Sequence, residues 1–161
     1  LIAIGFTSGL DSIACSVIAV TSRTKLVWWE VMPGPRKKRA VPYQRRYHAH
    51  KLMLDIIFDR WPPAVISIGP PSSEDEPLEW VVFMRTAMFE LGRSLRVPVQ
   101  LFDTDRDVAS GLGACDLSRG NGLKTLIRKQ LPNFTSNKPR VILSTATAMA
   151  GAAQLQHSMS R

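Results

Sequence analysis

The chain has 161 residues, 45% of them hydrophobic, which suits one domain with a full core and excludes wholesale disorder. Its 21 Lys and Arg against 13 Asp and Glu leave a net charge of +8, an excess that favours a polyanionic partner, nucleic acid above acidic protein. Cys15 and Cys115, alone and far apart, argue against a disulfide framework or a zinc site, and no apolar run approaches the roughly 20 residues that cross a bilayer.

Leu1 stands inside an apolar run with no initiator Met, which reads as a processed or partial product with any targeting segment out of view. Apolar runs at 1–5 and 12–20, joined by a turn through Gly9-Leu10-Asp11, and a third at 25–31 predict an antiparallel meander. Residues 32–42 hold three prolines, a glycine and the basic run Arg36-Lys37-Lys38-Arg39, and read as an exposed loop. From 44 to 61 the period turns helical, with Tyr47, Leu54, Ile57, Phe58 and Trp61 near one face and Pro62-Pro63 as the stop. Residues 64–69 then form a buried strand.

Ser73 and Glu76 have capping-box spacing, and Pro77 suits a first helical turn. Helical spacing follows from Leu78 to Leu95, then a strand at 97–102. Residues 107–117 contain Gly111 and Gly113 and read as irregular or only partly helical. A short basic helix follows at 122–131, a short strand at 140–143, and a last helix capped by Ser144 and running to about Ser158. A meander feeding strand–helix–strand units with right-handed crossovers gives one α/β domain over 1–161, a mixed five-stranded sheet with helices on both faces.

Four stretches recur in a telling order. The chain opens Leu1-Ile-Ala-Ile-Gly-Phe-Thr-Ser-Gly-Leu-Asp-Ser-Ile-Ala-Cys15; Ile68-Gly69-Pro70 precedes the acidic, polar stretch 72–76; Pro98-Val99 leads to Asp103-Thr104-Asp105-Arg106; and Thr147-Ala-Met-Ala-Gly-Ala-Ala-Gln-Leu-Gln156 is rich in small residues. Together they resemble the YqgF branch of the RuvC/ribonuclease-H-like nucleases. That family opens on a strand ending in Asp, has Gly-Leu-Pro before a polar loop, a strand running from Pro-Val to Asp-Glu-Arg, and a last helix starting at an Asp. RuvC-type resolvases share the fold but carry an acid after the fourth strand, where this chain has Gly69, and a longer helix-to-strand connection than 91–98 allows. The YqgF branch is therefore the preferred resemblance.

The resemblance implies phosphodiester cleavage by two metal ions clamped between carboxylates. Magnesium and similar hard ions want oxygen ligands, so apolar replacements are not tolerated. The family's first-strand acid falls on Gly5 and its final-helix acid on Thr147, so the site reads as degenerate. Asp103 and Asp105 remain, as capping acids or partners of Arg106, and Asp11 lies close enough in sequence to enter the site if the register is shifted. His48 and His50, two apart on a helix, do not share a face and read as surface or phosphate-contact residues. Ser8, Ser12, Cys15 and Cys115 make no nucleophile–base arrangement. Trp28 and Trp29 point to opposite sheet faces, leaving one for a partner to cover.

The basic stretches carry the stronger expectation. Arg36, Lys37, Lys38, Arg39, Arg45 and Arg46 form one group, and Lys124, Arg128 and Lys129 a second, suited to phosphates without reading sequence. The sequence reading is thus a catalytically inactive YqgF-like protein that binds RNA and other proteins in a large ribonucleoprotein. The ribosomal small subunit comes first, in the mitochondrial matrix or otherwise in the cytoplasm, with no cofactor and no membrane. The alternative is an active magnesium- or manganese-dependent nuclease on ribosomal RNA precursor or Holliday-junction DNA.

Overall fold

The first three strands form the expected meander: β1 (Ile2–Ser8), β2 (Ser12–Val20) and β3 (Thr24–Pro33) pair antiparallel in sequence order. The computed structural model describes residues 1–8, 12–33, 43–71, 77–114 and 121–161. The Gly9-Leu10-Asp11 turn, the basic run 36–39 and the Ser73–Glu76 pair lie outside them. Met32 and Pro33, assigned to a loop by their neighbouring prolines, extend β3, and Met32 is buried. Helix α1 (Tyr43–Arg60) leads to β4 (Val65–Ile68), and α2 (Leu78–Leu95) to β5 (Val99–Leu101). Both β4 and β5 pair parallel, giving the mixed five-stranded order β3-β2-β1-β4-β5.

Two-residue alternation sorts each strand between two layers. Ile4 and Phe6 of β1, Cys15 and Val17 of β2 and Ile66 and Ile68 of β4 face α1 and α2, where Leu54, Phe58, Trp80 and Met88 complete one core. Ala3, Ile18 and Val65 face the opposite layer of α3 (Asp105–Gly111), α4 (Asn121–Gln130) and α5 (Pro139–Met159). Each large side chain fully withdrawn from water contributes about 1.5–3 kcal/mol, so both layers are needed to hold the sheet.

Two local devices explain departures from the sequence reading. The α2–β5 connection is short because Gly92 lets β5 approach: a Cβ there would lie 2.1 Å from Val99 Cγ2. Arg96 then takes the left-handed conformation (φ 55°), and its N–H donates to the Arg93 and Gly92 carbonyls, ending the helix as a glycine usually does. Residues 105–111 are an ordered helix because Thr104 and Asp107 form a reciprocal capping box. The strand expected at 140–143 is instead the first turn of α5, with Pro139 at its start. A three-residue apolar run fits either period, and here the helix buries Val141 and Ile142 in the core. Ser144 accordingly sits inside α5 and is not its cap.

Candidate functional site

Helix α5 crosses the sheet over one transverse row. Trp29 on β3 pairs with Ser16 on β2, Ser16 with Gly5 on β1, Gly5 with Ser67 on β4, and Ser67 with Gln100 on β5. Residues directly opposite on neighbouring strands point to the same face. The sheet therefore presents to α5 a row of Ser16, Gly5, Ser67 and Gln100 that ends on Trp29, and Gly5 is the position to which the resemblance assigned the family's first acid.

The row is closed by contact. A Cβ on Gly5 would lie 2.3 Å from the Ser144 carbonyl oxygen and 2.5 Å from the Ala148 nitrogen. A Cβ on Gly69 would lie 2.5 Å from Thr147 Oγ1, and one on Gly151 would lie 1.7 Å from Ser67 Oγ. Gly5 thus lets β1 meet the α5 backbone, while Gly69 and Gly151 make room for the side chains of Thr147 and Ser67. Hydroxyls fill what remains: Ser16 Oγ lies 2.7 Å from Ser144 Oγ and 2.8 Å from Thr145 Oγ1, all buried. Thr147 donates its hydroxyl to the Leu143 carbonyl at 2.7 Å. The hydroxyls of Thr7, Ser12 and Ser67 and the amide oxygen of Gln100 are buried without a hydrogen-bond partner.

This chemistry does not fit a metal pair. Two hard cations need several carboxylate oxygens and coordination positions open to substrate. Among the described residues no group of three or more His, Cys, Asp or Glu is placed to hold an ion. Gly5 and Thr147 do not even face each other, since Gly5 meets Ser144 and Ala148 while Thr147 meets Gly69. Asp103 is exposed and ion-paired with Arg85 of α2, not with Arg106. Asp105 is exposed in the first turn of α3, where the capping acid is its neighbour Asp107. The sequence did not single out Ser16, Thr145 or Ser67, since isolated serines and threonines carry no spacing signal.

Arg45 of the first basic group and the second basic group fall on opposite layers. Arg45 is exposed at the start of α1, on the α1–α2 side. Arg128 and Lys129 are exposed at the end of α4, on the α5 side, and Lys124 donates to Asn137 Oδ1 nearby. The run Arg36, Lys37, Lys38, Arg39 lies outside the described residues, and Arg46 is placed only as part of α1. His48 is exposed but His50 is fully buried, which corrects its reading as a surface residue. Cys15 is fully buried, and that burial, with Glu30 adding to it, holds its thiol well above the usual range. Its thiolate is the reactive form. Mass-spectrometric mapping of iodoacetamide adducts is therefore expected to find Cys15 unmodified in native protein and labelled in denaturant. Labelling at equal rates in both states would contradict this burial.

No known family model matches the sequence, and no curated protein does. Solved structures do. RuvC of Thermus thermophilus matches with a TM-score of 0.80 at 15% identity, covering 98% of this chain and 97% of that one. The same organism's RuvC in complex with a Holliday junction substrate matches at 0.75 and 15% identity, over 98% and 96%. The yeast mitochondrial Holliday junction resolvase Ydc2 matches at 0.64 and 14% identity, over 98% and 81%. The fold is therefore the ribonuclease-H-like fold of RuvC. The preference for the YqgF branch over the resolvases finds no support, since the short α2–β5 connection leaves the two folds superposed along nearly their whole lengths. The likeness to junction resolvases also overturns the inactive ribosomal assembly factor and favours its branched-DNA alternative.

Proposed function

We propose that this chain is a RuvC-type protein whose nucleic-acid partner is four-way DNA. The observation that carries the reading is its end-to-end likeness to a RuvC solved on a Holliday junction. The net charge of +8 and the exposed Arg128 and Lys129 beside α5 support it, because phosphate contacts supply most of the affinity of such proteins. The likeness to yeast mitochondrial Ydc2 supports a mitochondrial address. We derive no cleavage step, because the described residues do not hold the carboxylates of a metal pair. Cutting enters this reading only through acids outside the described residues, which are Asp11, Glu74, Asp75, Glu76 and Asp116.

The test is a titration of purified protein with a closed four-way junction, a linear duplex of equal length and an RNA hairpin, with cleavage scored in magnesium and in manganese. Junction binding is expected to exceed duplex and hairpin binding by about tenfold or more. The double variant Arg128→Gln/Lys129→Gln is expected to flatten the log–log salt dependence, its slope falling by about 0.9 for each phosphate left without its cation. Equal affinity for all three probes would sink the junction reading. Cleavage abolished by Asp11→Asn or by neutralising Glu74, Asp75 and Glu76 would assign the chemistry to those acids.

A further inference from the structure

The edge of the sheet beside α5 holds a feature that the RuvC likeness does not use. On β3 the register shifts between the partners of Val17 and Ile18, so that Val17 pairs with Trp28 and Ile18 with Leu26. The extra residue, Val27, is a β-bulge, and a bulge changes which side chains share a face. Leu26 and Trp29, three apart and so opposed in a regular strand, both turn toward the α4–α5 connection. There they line a groove of about 640 Å³ with Phe134, Asn137, Lys138 and Pro139. Trp29 is 38% exposed on an edge strand, and the Lys138 ammonium lies 5.2 Å from its ring centroid.

We infer that this groove seats an unpaired nucleobase of a DNA strand, stacked on Trp29 with its phosphate on Lys138. The inference rests on the reading that the partner is nucleic acid. Every base offers a π-face to an exposed indole, and a groove of this size holds a nucleotide. Among the described residues no acid lines the groove, while Lys124 reaches its wall by donating to Asn137 Oδ1. Charge complementarity therefore selects a polyanion carrying a flat apolar group, which describes a nucleotide strand better than an acidic peptide. The other tryptophans are not available for stacking: Trp80 is fully buried, and Trp28 packs on Trp61 on the opposite face.

The test titrates the intact chain with short oligothymidylate, oligouridylate and a closed four-way junction lacking unpaired bases, reading tryptophan emission and affinity together. Oligothymidylate is expected to quench emission, and Trp29→Phe to remove most of the quench while keeping the fold. Trp29→Ala is expected to weaken oligothymidylate binding about tenfold. Lys138→Gln is expected to lower the log–log salt slope for the oligonucleotide by about 0.7, one phosphate on a single strand. Unchanged oligonucleotide affinity in Trp29→Ala, or a quench that survives Trp29→Phe, overturns the inference even if junction binding is intact. Loss of junction preference with the Trp29 effects retained refutes the junction reading and leaves the groove standing. Tighter, Trp29-dependent binding of oligouridylate overturns the assignment to DNA.

Discussion

Gly5→Asp is expected to destabilise the fold by about 3–5 kcal/mol and to create no metal centre, although the sequence resemblance puts the family's first-strand acid at this position. The new Cβ would meet the Ser144 carbonyl oxygen at 2.3 Å and the Ala148 nitrogen at 2.5 Å. Both are backbone atoms of a helix packed over four strands, β1 to β4, so neither yields by a side-chain rotation. Overpacking of this kind costs about 1–3 kcal/mol, and a buried carboxylate without a partner adds to it by desolvation. Gly5→Ala carries the steric part alone and is expected to lose about 1–3 kcal/mol. Urea denaturation of both variants separates the two contributions. Thermal melts in manganese give the second readout, since an ion that binds only the native state raises the midpoint. A Gly5→Asp protein as stable as the parent, with a midpoint that climbs with manganese, would mean that α5 can lift and that the metal seat is recoverable.

That expectation also marks how far the sequence could be read. The strand–helix order was legible because long apolar runs and helical spacing between Pro62-Pro63 and Pro98 leave few alternatives. The resemblance put the family's strand-ending acid at Gly5, but β1 runs on from Ile2 to Ser8, so Gly5 lies in mid-strand and the end of that strand was not legible. The close seating of α5 on the sheet was not legible either. Gly5, Ser16, Ser67 and Gly151 come from four elements, and only strand register and the seating of α5 bring them together. The bulge at Val27 was hidden for the same reason, since alternation along 25–31 reads as regular until the pairing with β2 is known. That Arg45 lies on one layer and Arg128 and Lys129 on the other depends on which face of the sheet each helix covers, and that follows from topology, not from composition. The resolvase likeness was set aside for Gly69 in place of an acid after the fourth strand and for a short connection, yet Gly92 and the left-handed Arg96 make such a turn feasible within the same fold.

Gly151→Ala carries the second large expectation, because Gly151 marks the tightest approach of α5 to the sheet. Alanine in a helix interior is ordinarily favoured over glycine by about 1 kcal/mol. Here its methyl would fall 1.7 Å from Ser67 Oγ and 2.9 Å from Ser67 Cβ. A rotation of Ser67 relieves the first contact but not the second, so α5 must shift or the strand must yield. The net loss is expected to be about 1 kcal/mol, the overpacking cost less the helical gain. Ser67→Gly removes both offending atoms at a cost of about 0.5–1 kcal/mol for glycine in a strand. It also removes a buried hydroxyl that has no partner, which offsets part of that cost. The double variant is therefore expected to be more stable than Gly151→Ala alone, with a favourable coupling of about 1–2 kcal/mol in a urea double-mutant cycle. Strictly additive effects would instead place the helix farther from β4 than the contact at Gly151 requires, and would reopen the row beneath α5 as a space able to accept side chains.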